Sequence, residues 1–236
     1  MPGPGLAVVN FFATLAQTLA GFGAPLISMP FMVLWLGAKT ATPLSTLVGL
    51  LTSIFVLYYY RQHFNLRAIL TLLVPAVLGV PLGVYLLEVV DERIIRTILS
   101  ILVLGYAAYA FFAPKLPELM HRFWGYGFGF FAGILGGAFN SSGPIVAIYG
   151  GFRHWTPEEF RSNLQGFFLV TNSAILVFHA GQGNLRGDFW RAVPWAIGGM
   201  LLAIASGLFL ERWINKQRFK QLVLLMLVIS GIRLLF

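Results

Sequence analysis

Uncharged stretches of bilayer-crossing length recur along this chain, and they constrain its fold more than any other feature. Between charged residues lie the runs 1–38, 40–60, 68–87, 97–114, 123–152, 162–185 and 192–210. A hydrocarbon core about 30 Å thick takes about 20 helical residues at 1.5 Å rise each, and most of these runs meet or approach that length. A soluble helical bundle would need polar outer faces, which these segments lack. Membrane barrel strands would alternate polar and apolar residues; a run such as Ile69-Leu-Thr-Leu-Leu-Val74 does not. The expected class is an all-α integral membrane protein.

Composition agrees. The chain is 58% hydrophobic and only 10% charged, against about a quarter charged in soluble domains. Its 26 glycines suit helices that approach closely in lipid, where apolar burial gives little drive to associate. The net charge of +8 is spread between the spans rather than gathered on one face. It reads as interfacial anchoring in the lipid bilayer, with no nucleic-acid partner. There is no cysteine, hence no disulfide or thiolate chemistry. No positive stretch precedes the first apolar run, so no cleaved signal peptide is expected.

Eight hydrophobic segments are expected, at about 5–35, 40–60, 66–88, 94–113, 123–150, 160–181, 189–210 and 219–236. They fall into two homologous four-segment halves, 1–113 and 123–236, joined by a connecting loop at 114–122 that carries the longest polar interruption. Gly23 and Pro30 recur 114 residues on as Gly137 and Pro144, and Thr42-Pro43, expected to open a helix, recurs as Thr156-Pro157. Asn65-Leu-Arg67, Pro75 and Gly79 recur 119 residues on as Asn184-Leu-Arg186, Pro194 and Gly198, a five-residue insertion accounting for the change. Repeats of this kind form the two sides of many transport sites.

The first segment of each half is anomalous. One straight helix over 1–38 would be about 57 Å long, and Gly/Pro clusters interrupt both runs at 21–30 and 136–144. Each segment is therefore broken or re-entrant. Non-helical backbone at membrane depth must be buried in protein or face a wet cavity. With re-entrant first segments the chain has six full crossings, and the Lys/Arg bias between the two sides is larger than with eight.

The strongest chemical feature is Gly136-Gly137-Ala-Phe-Asn140-Ser141-Ser142-Gly143-Pro144. Pro144 suits the first turn of a half-helix, and Asn140, Ser141 or Ser142 can cap it. Amides at such a helix start attract an anion. An internally hydrogen-bonded kink is the alternative reading. The first-half counterpart, with Gly21, Gly23, Ser28 and Pro30, is less polar. Asn163 and Asn172 are the best side-chain candidates on the helix that follows the second break, where interhelical hydrogen bonding is the plainer role.

What is missing narrows the chemistry. All eight acidic residues fall at expected segment ends or loops, so no lone carboxylate marks a mid-membrane relay or a cation cage. The four histidines lack metal-ligand spacing; His179, near a segment end, reads as a satisfied interfacial histidine, with protonation during transport the alternative reading. No serine has an acid–histidine partner, and there is no Walker-type phosphate loop. No enzyme activity, cofactor or metal is expected, while a small anionic substrate is.

The motifs Gly21-Phe-Gly-Ala-Pro-Leu-Ile-Ser-Met-Pro30 and Gly133-Ile-Leu-Gly-Gly-Ala-Phe-Asn-Ser-Ser-Gly-Pro144, with the Thr-Pro pairs and the duplicated layout, resemble the TauE/SafE family over nearly the whole chain. Ala24-Pro25 stands where that family usually has further glycines. The resemblance implies a multi-pass permease or exporter of the inner (plasma) membrane for sulfite, sulfonates or related organic acids. It also implies that Gly21, Gly23, Pro30, Gly136, Gly137, Asn140, Ser141, Ser142, Gly143 and Pro144 form its substrate region. Alternating access is the expected mechanism, and a channel-like or scaffold subunit of a larger complex is the alternative. A homo-oligomer is compatible with either.

Overall fold

The computed structural model describes residues 3–112, 121, 123–210 and 216–235. They form ten α-helices with no strand among them: α1 (Gly3–Ala20), α2 (Ala24–Leu36), α3 (Ala38–Tyr60), α4 (Leu66–Val89), α5 (Glu92–Phe112), α6 (Phe123–Phe139), α7 (Gly143–Phe152), α8 (Pro157–Gly181), α9 (Asp188–Leu210) and α10 (Lys216–Leu235). Apart from His121, the connecting loop expected at 114–122 lies outside the described residues.

Among the described residues, six helical stretches are long and apolar enough to cross a membrane: Gly3–Ala20, Ala38–His63, Leu66–Val89, Glu92–Phe112, Pro157–Gly181 and Asp188–Gly207. Their outer faces are apolar. On α4, Leu66, Leu70, Val74, Leu78, Leu82, Tyr85 and Val89 form an exposed stripe, whereas Leu72, Ala76, Val80 and Leu87 are buried. Exposed apolar surface on this scale is untenable in water and natural in lipid. The polar residues lie inside: Asn10, Gln17, Thr42, Ser45, Asn140, Asn163, Asn172 and His179 are all buried.

The Gly/Pro clusters do break the first and fifth segments, and in each case the chain folds back. The Asn10 amide on α1 lies 3.8 Å from Met32 Sδ on α2, about equally far on either side of the break. The Phe128 ring on α6 packs against Tyr149 and Phe152 on α7, with centroids 5.8 and 5.9 Å apart. Both segments are thus helical hairpins. The first turns through Gly21 and Gly23, at φ 87° and 109°; the second turns through Asn140, at φ 52°. Thr42-Pro43, by contrast, does not open a helix. α3 starts at Ala38, because Gly37 caps it and takes Ala41 N–H onto its carbonyl. Thr156-Pro157 does open α8, with a capping box between Thr156 and Glu159.

The hairpins enter from opposite ends of the bundle. One end is marked by Lys39 at the start of α3, which pairs with Glu88 at the end of α4. The other is marked by Asn65 at the start of α4, whose N–H donates to Asn163 near the start of α8. α1 runs parallel to α9, with Gly3 against Trp195, Ala7 against Gly199 and Thr18 against Gly207, so it starts from the Lys39 end. α6 runs parallel to α4, with Gly129, Gly133 and Gly137 against Leu72, Ala76 and Val80, so it starts from the Asn65 end. The other main packings pair α3 with α8 and α5 with α10.

Candidate functional site

The hairpin turns overlap in the middle of the bundle, and the helices that leave them start at one cavity. α2 begins after Gly23 and α7 after Ser142; each has proline in its first two positions and neither has a side-chain cap. Their first-turn amides, at Ala24 and Leu26 and at Gly143 and Ile145, are the donors that a helix start leaves unused. Gly23, Pro25 and Leu26 line the cavity from the first hairpin, and Asn140, Ser141, Gly143 and Pro144 from the second. Gln17 closes it from the end of α1, Gly49 from the middle of α3, and Phe168 and Asn172 from the middle of α8.

Two buried amides converge on Gly49. A Cβ placed there would lie 3.0 Å from Asn172 Nδ2 and 3.4 Å from Asn140 Nδ2. Asn140 is held by its Nδ2, which donates to Ser45 Oγ at 3.2 Å, and by its left-handed backbone, which asparagine tolerates better than most residues. The lining carries no charged side chain. Its polar character comes from amides and two helix starts on otherwise apolar walls, a combination that stabilises negative charge without an ion pair. The cavity measures about 20 Å³, room for about one water.

Side chains latch both turns by donating to carbonyls around the end of each hairpin's first helix. At the first turn, Arg161 Nη2 donates to Leu19 O at 2.8 Å, and Gln165 Nε2 to Gly21 O at 2.6 Å. At the second, Thr42 Oγ1 donates to Ala138 O at 2.9 Å, and His179 Nε2 lies 3.2 Å from Gly137 O.

Of the expected site residues, the structure brings Gly23, Asn140, Ser141, Gly143, Pro144 and Asn172 to the cavity. Gly21 instead packs against Arg161, and Ser28 Oγ bonds back to Ala24 O. Pro30 lies inside α2, and Gly136 faces Ile175 and Ser142. Gly137 packs on α4, Ser142 precedes α7, and Asn163 braces the α3–α4 connection. Gln17, Gly49 and Phe168 were not singled out by the sequence. Gln17 had a usable signal, as a lone amide inside a charge-free run; Gly49 and Phe168 had none.

Gly23, which lines the cavity, tests the turn without a steric clash. A Cβ there would meet nothing within 4 Å, so Gly23→Ala acts through its positive φ alone. The expected loss is about 1–2 kcal/mol, read as a lower thermal midpoint of the detergent-solubilised protein. An unchanged midpoint would show that the turn relaxes freely.

Opposed helical hairpins around a buried polar cavity, with apolar faces outside, are an arrangement suited to a multi-pass membrane transporter. A family model described as "Sulfite exporter TauE/SafE" matches residues 6–234, and the chain belongs to that family. It is 29% identical over 214 residues to a "Probable sulfite/organosulfonate exporter TauE" of Cupriavidus necator, covering 87% of this chain and 82% of that one. It is 28% identical over 206 residues to a "Probable membrane transporter protein" of Haemophilus influenzae, covering 78% and 79%. No solved structure matches the chain. The protein is a membrane transporter.

Proposed function

We propose that this chain carries a small anion of the sulfite or sulfonate class across the inner (plasma) membrane by alternating access. The observation that carries this reading is the pair of uncapped helix starts, one from each opposed hairpin, facing a single uncharged cavity. A tetrahedral or pyramidal oxyanion presents acceptors in several directions, as donors arriving from two hairpins and two amide side chains require. Its small apolar substituent would face Phe168, Leu26 and the prolines. The relative from Cupriavidus necator, named as a sulfite/organosulfonate exporter, supports the substrate class.

The halves 1–113 and 123–236 are inverted repeats in this reading. Each hairpin packs on the third long segment of the other half, α1 on α9 and α6 on α4, while α3 pairs with α8 and α5 with α10. That reciprocity is what a two-fold axis in the membrane plane produces. The hairpins then dip in from opposite sides, α1 turning back with α2 despite its crossing length, and α3, α4, α5, α8, α9 and the less apolar α10 make six crossings. Cargo enters when one hairpin turn gives way.

The test is flux in liposomes holding the purified chain, across labelled sulfite, sulfate, alkanesulfonates and carboxylates. Saturable flux of sulfite or a sulfonate, with competition within that class, is expected. Flux that never saturates would favour a channel, and no flux of any anion would end the proposal.

A further inference from the structure

His179 lies outside the cavity lining, yet it is wholly buried and fully engaged. It sits in the last turn of α8 with 0% exposure. Gly137 O can only accept a hydrogen bond, so the facing Nε2 must carry the hydrogen. In the neutral ring Nδ1 is then a lone pair, and Asn184 Nδ2 donates to it at 3.0 Å. The same amide nitrogen donates to Glu88 Oε1 at 2.7 Å, and Glu88 Oε2 pairs with Lys39 Nζ at 2.6 Å. A continuous polar chain therefore runs from the solvent-exposed Lys39 to the turn of the second hairpin.

The charged surroundings are sparse. Glu88 on α4 is the group that faces the ring side of Asn184, and Lys39 on α3 stands beyond it. α6 presents a backbone carbonyl. Nearby, Glu92 on α5 is paired with Arg96, and Asp188 on α9 with Arg191. The latch on the first hairpin has a different character: Arg161 keeps its proton at every working pH. Both turns are held through carbonyls near a helix end, but only the second is held by an imidazole, a group built to gain and lose a proton.

We propose that His179 is a proton-binding site that couples anion passage to proton movement, with the proton entering at Nδ1 from the Glu88 side. This rests on the transport reading above. The proton leaves water at the Lys39 end and adds to the Nδ1 lone pair, giving an imidazolium with a donor at each nitrogen. Asn184 Nδ2 cannot accept, so the amide must turn its Oδ1 to the ring. The turned amide then presents that oxygen to the Glu88 carboxylate and loses its hold there. One proton thus undoes the strut between α4 and the α8–α9 loop, while Nε2 keeps its grip on Gly137. The neutral ring belongs to the closed state, and the charged ring to the state opened at the Lys39 end.

The experiment uses liposomes with a trapped pH indicator, labelled methanesulfonate and, in parallel, labelled sulfite. Methanesulfonate stays ionised throughout, so any proton signal accompanying it is the protein's. For the wild type, an imposed pH gradient should drive at least about ten-fold accumulation, with matching proton movement. His179→Gln keeps a side-chain N–H for Gly137 but takes up no proton. It should retain anion–anion exchange and lose both gradient-driven accumulation and the indicator signal. Wild-type flux with no proton signal overturns the coupling and leaves the transport reading standing. Undiminished coupling in His179→Gln overturns the site. Loss of exchange in a folded His179→Gln protein marks a structural latch and also overturns it. Absence of flux for both anions in the wild type removes the transport reading, and the inference with it.

Discussion

Replacing Asn172 by aspartate is expected to cut anion flux about a thousand-fold at neutral pH. The substitution hardly changes shape, so it isolates charge. Asn172 is buried in the middle of α8 and shares the cavity with Asn140 and the helix starts at Ala24 and Gly143. A carboxylate there would stand about 4 Å from the bound anion. At an effective dielectric of about 20 the repulsion is about 4 kcal/mol, and each 1.4 kcal/mol is a factor of ten in binding. Asn172→Ala, which removes a donor without adding charge, should cost only about 1–2 kcal/mol, or about ten-fold. The ratio between the two variants is the informative quantity, measured as liposome flux with the folded fraction checked by size exclusion. If the aspartate variant were silent, or faster than wild type, the cavity would not hold an anion.

That prediction depends on a site only partly legible in the sequence. The broken segments were, because a charge-free run of 38 residues cannot be one straight span and glycine and proline mark where it yields. The second turn was marked by Asn140, Ser141 and Ser142, a polar trio costly in lipid unless partnered, and by Gly143 and Pro144, which suit a helix start. The first turn was harder. Its polar groups are backbone amides, which leave no trace in residue identity, and its side-chain contribution comes from Gln17, one turn before the break. Gly49 illustrates the limit: a glycine in mid-helix reads as packing, and only the converging amides of Asn140 and Asn172 reveal the space it leaves.

The opposed entry of the hairpins belongs to one of the two topologies that the charge map left open, and which helices touch was not legible at all. Sequence order groups α1–α5 and α6–α10, whereas the hydrophobic cores cut across that division. Beside a small cluster between α4 and α8, one core gathers α1, α2, α3, α5, α9 and α10 with the ends of α4 and α6, and the other α4, α6, α7 and α8. The cavity lies where they meet. Recurring markers in one chain carry no information on whether each half packs within itself or against the other.

Gly133→Leu is expected to be the most damaging substitution outside the cavity, because it strikes the seam that carries the second hairpin. Along α6, Gly125, Gly129, Gly133 and Gly137 recur every four residues, and the last three face the α4 backbone directly. α4 answers with Gly79 and Gly83, which face the backbone of Phe130 and Ile134. A Cβ on Gly133 would fall 2.8 Å from the Ala76 carbonyl carbon and closer still to its oxygen. Backbone cannot swing aside as a side chain can, so the helices must part. In lipid nothing apolar drives them back, since acyl chains solvate leucine as well as α4 does. The cost should exceed the about 1–3 kcal/mol typical of overpacking, because the contacts of the neighbouring glycines are lost together. Gly127→Leu is the control: it lies on the same helix, is exposed, and has nothing within 4 Å of its Cβ position. The control should match or exceed wild-type thermal stability in detergent, helped by leucine's better helix propensity, while Gly133→Leu should melt well below it or fail to accumulate as folded protein. Equal midpoints for the two variants would mean that α4 and α6 are not held in backbone contact, and that the second hairpin is positioned by its latches alone.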